Sequence, residues 1–108
     1  WEIIQERAEL AAKGDFVVAL YNPRSNKRVN QIDIVQDIFL RHRSSDTPVG
    51  IVTGASRENE GKKISTLGTF TKEDINMFSI VIIGNSKTRI VDDWMITPRG
   101  YQKREPGL

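Results

Sequence analysis

The chemistry open to this chain is narrowed first by what it lacks. There is no cysteine, which removes thiol nucleophiles, thiolate metal sites and disulfide frameworks together. The single histidine, His42, has no second His or Cys with which to build a metal site, and no Ser stands in a nucleophile-elbow sequence, so His42 reads as a helix-end residue. What remains is suited to binding, and it sits after three apolar runs: Tyr21-Asn22-Pro23-Arg24-Ser25, Gly54-Ala55-Ser56-Arg57 and Gly84-Asn85-Ser86. Small residues after a strand permit the close backbone approach that a planar ligand such as an adenine needs, and they serve equally as plain turns. Gly84 can take a positive φ and Asn85 can form an Asx turn. No GxGxxG or Walker pattern is present to decide between the two uses. Arg24, Lys27 and Arg28 stand at the start of a helix, against the macrodipole, at about 0.3–1 kcal/mol each when exposed. A phosphate or carboxylate would offset that cost; a solvated charge run is the alternative.

The elements that must carry these turns follow from the apolar patterning. Residues 16–20 form an apolar run without polar alternation, which suits a strand covered on both faces, and Pro23 ends it near Asn22. Ser25 can cap a following helix whose apolar positions Val29, Ile32, Val35, Ile38 and Phe39 recur at helical spacing, with Arg41, His42 and Arg43 where cations suit its C-terminal end. Residues 49–53 read as a second strand, residues 57–63 as an exposed connection and residues 63–70 as a third strand bent at Gly68. Thr71-Lys72-Glu73-Asp74 has the shape of a capping box opening a short helix. Residues 80–84, β-branched up to Gly84, are the clearest strand, and residues 88–91 and 94–96 flank Asp92-Asp93 as a hairpin without a turn glycine. Strand, polar turn and helix in succession form the unit whose carboxyl-end crevice receives ligands in open α/β sheets. With matched strand directions, the three turns would share one edge of the sheet and form one site.

Composition bounds the rest. The 108 residues suffice for one domain, and 38% hydrophobic with 28% charged residues is a folded composition. A formal net charge of +2, with both signs interspersed, argues against a nucleic-acid partner. No apolar segment reaches the length of a membrane span, and a cytoplasmic location is expected. The chain opens without Met inside an amphipathic helix carrying Ile4, Ala8 and Ala11 on one face and stopping at Gly14, as a piece of a longer protein would.

Taken together, DFVVALYNPRS, PVGIVTGASRE, ISTLGTF and MFSIVIIGNSKT followed by ITPRGY resemble the S-adenosylmethionine-dependent tetrapyrrole methylases of cobalamin biosynthesis. Within that family they resemble the carboxyl-terminal half of the branch that methylates C-17 of precorrin-3B with ring contraction. The resemblance runs from Trp1 to about Tyr101. It implies an α/β fold with a mixed sheet of about five strands flanked by helices, in accord with the element order above. It implies S-adenosylmethionine as methyl donor, held in a trough shared with an amino-terminal domain that these residues do not include. Tyr21 and Asn22 occupy the place of the family's Tyr-Met pair that contacts the donor, with Asn in place of Met. Ala55, flanked by Gly54 and Ser56, falls where related methylases set a small residue against the cofactor, and Gly84 matches a strand-end Gly near the trough. A precorrin bears many acetate and propionate carboxylates, so Arg24, Arg57 and Arg99 become candidate substrate contacts. The family also implies a homodimer for the complete enzyme; without the amino-terminal domain no turnover is expected of this half, and the lack of Cys and of a second His leads to no expected metal. The competing readings are a stand-alone nucleotide- or phosphate-binding module at Arg24-Ser25 and an interaction domain with no ligand of its own.

Overall fold

A computed structural model describes residues 2–21, 31–54 and 61–98. Helix α1 spans Glu2–Lys13, strand β1 Val18–Tyr21, helix α2 Gln31–Leu40, β2 Pro48–Thr53, β3 Gly61–Thr66, β4 Ser79–Ile83, β5 Arg89–Val91 and β6 Trp94–Ile96. The main sheet has four strands in the order β1-β4-β2-β3, and β5 and β6 form a separate hairpin. Each neighbouring pair is antiparallel, so β1 and β2 both run opposite to β4 and point the same way. The α/β fold implied by the sequence is present; among the described residues its sheet has four strands plus a separate hairpin, and every strand pair is antiparallel where a mixed sheet of about five strands was expected.

Directly paired residues share a face, so the register sorts the side chains. Val18, Leu20, Val49, Ile51, Val81 and Ile83 lie on one face, which α1 and α2 cover. Ile32, Val35, Ile38 and Phe39 of α2 are buried there with Ala12, Leu67, Phe70 and Ile75. Val29 and Ser25, expected in the same helix, fall outside the described residues, as do Lys27 and Arg28. Phe39 is fully buried at 0% exposure, so truncating it to Ala would cost about 3–5 kcal/mol.

The opposite face is only partly covered. Gly50 points into it beneath the hairpin, where a Cβ would lie 3.5 Å from Met95 Sδ. Ala19 and Tyr21 of β1 are exposed, and Ile80, Ile82 and Val52 are half-buried. The expectation that residues 16–20 are covered on both faces therefore fails. Phe16 and Val17 precede the strand and are exposed, and β1 has a single neighbour, β4, among the described strands. An unbroken apolar run marks burial on both faces only for a central strand.

Three local expectations also change. Residues 61–63 belong to β3, which ends at Thr66 because Leu67 N–H turns back to Thr47 O (2.8 Å) and Gly68 N–H to Ser45 O (2.9 Å). Thr71 opens no helix; it lies inside a single 3-10 turn, Phe70–Lys72, whose cap position is Thr69. And α1 stops at Lys13 through a Schellman arrangement whose left-handed residue is Asp15 (φ 61°), one position after Gly14. Its bonds run from Phe16 N–H to Ala11 O (3.2 Å) and from Asp15 N–H to Ala12 O (3.4 Å). At Gly14 a Cβ would lie 2.6 Å from the ring of the exposed Phe16, which would have to swing aside. In the hairpin, Asp92 (φ 55°) supplies the left-handed residue that the missing turn glycine would have provided.

Candidate functional site

Strand direction divides the three turns singled out in the sequence. Tyr21 pairs with Ile80 and Thr53 with Ser79, so the ends of β1 and β2 lie together at the start of β4. Gly84 follows the other end of β4, five residues from Ser79 and about 17 Å away at strand rise. The three turns therefore do not share one edge: Tyr21 and Gly54 are brought together, and Gly84 is separated from them.

At the Tyr21–Gly54 end the groups are exposed and held from below. Tyr21 is 70% exposed, and Gly54 is exposed directly after β2. Behind them, the Thr53 and Ser79 hydroxyls lie 3.1 Å apart, and Asn76 N–H donates to Ser79 Oγ (3.0 Å). Phe78 N–H donates to Asn76 Oδ1 (2.8 Å), which fixes an Asx turn and leaves the Met77 and Phe78 side chains exposed at the same end. A glycine backbone open to solvent and, across β4 from it, an exposed phenol ring about 10 Å away suit a flat ligand that takes its hydrogen bonds from main chain. Asn22, Arg24, Ala55, Ser56, Arg57 and Arg99 lie outside the described residues.

The Gly84 end is filled by the protein itself. Gly84 is buried, donates its N–H to Pro48 O (2.9 Å), and would place a Cβ 2.8 Å from both that oxygen and the Thr88 side chain. Close approach, and no positive φ, is what requires glycine here. The Asx turn read at Asn85 is present, with Lys87 N–H donating to Asn85 Oδ1 (2.8 Å).

Sequence reasoning missed the group that closes this end. Arg43 donates to Gly84 O (2.6 Å), Phe16 O (2.6 Å) and Ala11 O (3.0 Å), joining the end of β4, the lead into β1 and the end of α1. Its guanidinium lies over the Phe39 ring, 4.8 Å from the centroid. Burial lowers its proton affinity from the ordinary value, and Asp15 acts in the opposite sense. Asp15 accepts from both Ser86 N–H (2.9 Å) and Ser86 Oγ–H, and these bonds hold its carboxyl below the usual range. The available signal was an Asp directly after a helix-ending Gly, a residue type that tolerates the left-handed region. His42 is indeed a helix-end residue: its Nε2 lies 2.6 Å from Glu9 Oε1, which ties α2 to α1. Among the described residues no three His, Asp or Glu side chains cluster as a metal site would require, and no helix is long and apolar enough to cross a membrane.

The fold has its counterpart in part of a solved methyltransferase. The crystal structure of the methyltransferase CobJ matches it with a TM-score of 0.82 at 32% identity, over 90% of this chain and 41% of that one. Sequence narrows the class further. The chain is 49% identical over 104 residues to a cobalt-factor III methyltransferase of Priestia megaterium, covering 96% of this chain and 19% of that protein. It is 43% identical over 101 residues to a probable cobalt-factor III C(17)-methyltransferase of Salmonella typhimurium, covering 94% and 42%. With a precorrin-3B C(17)-methyltransferase of a Sinorhizobium species the identity is 36% over 106 residues, covering 94% and 42%. No profile of a known family matches the chain. This chain is homologous to a segment of the cobalt-factor III and precorrin-3B C(17)-methyltransferases, and it spans less than half the length of these relatives.

Proposed function

We propose that this chain is the carboxyl-terminal half of an S-adenosylmethionine-dependent methyltransferase that methylates C-17 of a precorrin-3B-type tetrapyrrole, with ring contraction, in cobalamin biosynthesis. The observation that carries this reading is the agreement with the CobJ methyltransferase over 90% of the chain. Sequence relatives named for the same transfer support it.

S-adenosylmethionine would supply a methyl group already activated on a sulfonium, so the demands on the protein are to orient two reactants and exclude water. Tyr21 and Gly54 fit that demand by offering an aromatic face and unobstructed backbone at one strand end. Asn22, Ala55 and Ser56 follow them directly in sequence and belong to the same proposed wall. Arg24, Arg57 and Arg99 are proposed to meet substrate carboxylates. Gly84, buried at the far end against Pro48 and Thr88, is given no cofactor contact in this scheme. The reading further entails an amino-terminal domain as the facing wall, a homodimer of the complete enzyme, a cytoplasmic setting, and no turnover by this half alone. Nothing among the described residues favours a stand-alone phosphate-binding module, whose key residues Arg24 and Ser25 lie outside them.

Calorimetry with S-adenosylhomocysteine tests the scheme, comparing this chain with a form joined to an amino-terminal domain. Binding that appears or strengthens on joining supports it. Absence of binding in both forms would overturn it, and methyl transfer by the short chain would refute the claim that two halves are needed.

A further inference from the structure

Two neighbouring lysines on β3 are held in different ways. Lys63 is paired, its Nζ 2.8 Å from Glu73 Oε1. Lys62 makes no ion pair among the described residues; its Nζ lies over the Trp94 ring, 4.8 Å from the centroid. A cation–π contact favours one position of the ammonium without neutralising its charge. Alternation along β3 puts Lys62 on the partly open face of the sheet and Lys63 on the helix-covered one.

The register then places Lys62 in a row. Tyr21 pairs with Ile80, Ile80 with Val52, and Val52 with Lys62, so these four side chains cross the open face in line. Three strand spacings separate the ends, about 14 Å. Tyr21 and Lys62 are exposed, and the Ile80 and Val52 side chains between them are half-buried. The hairpin stands beside this shelf, with Met95 against Gly50 and Trp94 against Lys62. Asp92 and Asp93 line the same cleft as Lys62 and Trp94 and disfavour an anion held inside it, so a carboxylate is taken to approach along the row from Tyr21. An apolar shelf about 14 Å wide, ended by a phenol and a cation without an ion pair among the described residues, suits a flat ligand with an apolar body and an acidic rim.

Building on the methyltransferase reading, we propose that Lys62, stationed by Trp94, binds a peripheral carboxylate of the tetrapyrrole laid across the sheet between Tyr21 and the hairpin. Lys62 thereby helps select acidic macrocycles. The probe is uroporphyrin, a flat tetrapyrrole carrying acetate and propionate groups, titrated into the 108-residue chain and followed by its own absorption band. Lys62→Gln is expected to weaken binding about tenfold, as loss of one charge-assisted contact does. Lys62→Arg should retain affinity, Lys87→Gln at the other end of the sheet should leave it unchanged, and the Lys62→Gln deficit should shrink in 1 M salt, where the screening length is about 3 Å. Quenching of Trp94 in a Trp1→Phe background, which leaves one tryptophan, should saturate with the same midpoint. Affinity that survives Lys62→Gln within twofold, equal losses in Lys62→Gln and Lys87→Gln, or no uroporphyrin binding to the chain would each overturn the proposal. These outcomes leave the methyltransferase reading standing, because that reading is judged by S-adenosylhomocysteine binding instead.

Discussion

The two ends of the four-stranded sheet are built from similar residues and treated in opposite ways. Both carry a strand-end glycine and nearby Ser and Asn side chains. At the Gly84 end these groups turn inward: Arg43 gathers three carbonyls, Asp15 clasps Ser86, and the glycine is packed against Pro48 and Thr88. At the Gly54 end the polar bonds lie beneath the surface, between Thr53, Ser79 and Asn76, and what faces outward is Tyr21, Phe78 and the Gly54 backbone. A Gly-Asn-Ser turn can thus be a structural lock and a Thr-Gly strand end an accessible surface, and the difference lies in what other segments bring to it.

That contrast predicts where substitutions hurt folding. The largest effect is expected for Arg43→Met, which keeps an apolar stem but removes the guanidinium over Phe39 and leaves the Gly84, Phe16 and Ala11 carbonyls without their donor. A loss of about 3 kcal/mol, in the upper range for hydrogen bonds to a charged group, should appear in urea unfolding with the slope unchanged. Gly84→Ala comes next. Its Cβ would meet backbone at 2.8 Å, which cannot move as a side-chain tip can, and overpacking of this kind costs about 1–3 kcal/mol. A Gly84→Ala chain as stable as the parent would mean that the end is less tightly closed than the geometry indicates.

Asp15 tests the lock through pH. Its carboxyl pKa is depressed in the folded chain, chiefly by the side-chain bond from Ser86 and then by the backbone one. Its contribution is therefore complete above the unfolded-state value of about 3.9 and is lost as pH falls through the lower folded value. The site is open to solvent, so screening keeps the contribution below about 1 kcal/mol. Asp15→Asn retains a residue suited to φ 61° and should flatten the acid side of the Tm–pH curve below about pH 4 while lowering Tm slightly at pH 7. An unchanged acid limb would remove Asp15 from the lock.

The part of this molecule legible in the sequence was what depends on neighbours in the chain. Helix α2 was readable from Ile32, Val35, Ile38 and Phe39, because a helical stripe repeats within ten residues, and β4 from its β-branched run. The family was readable as well, since its motifs are contiguous. The exposure of β1 was not, because a strand with one neighbour, as β1 has among the described strands, and a central buried strand can carry the same apolar run. Nor was the lock, whose Arg43 partners lie 27 to 41 residues away, or the Lys62–Trp94 contact between a strand and a hairpin far apart in sequence. The false helix at Thr71 shows the same limit from the other side. A capping pattern acts only where the chain has room to continue, and Glu73 N–H already closes the turn on Phe70 O.

The smallest expected change in stability, and the one that most sharpens the contrast, belongs to the accessible end. Tyr21 is 70% exposed, so Tyr21→Ala removes little buried surface and should leave the unfolding free energy within about 0.5 kcal/mol of the parent. If this end forms the donor-binding wall, the same substitution should weaken S-adenosylhomocysteine binding in the form joined to its amino-terminal domain. Gly54→Ala should do likewise by obstructing the backbone. Arg43→Met, measured well below its unfolding transition, should leave that binding nearly unchanged, since the lock lies about 17 Å away along β4. Stability and binding should therefore separate by end. A Tyr21→Ala chain that unfolds early, or one that binds S-adenosylhomocysteine as tightly as the parent, would place the ring in the architecture and outside the site.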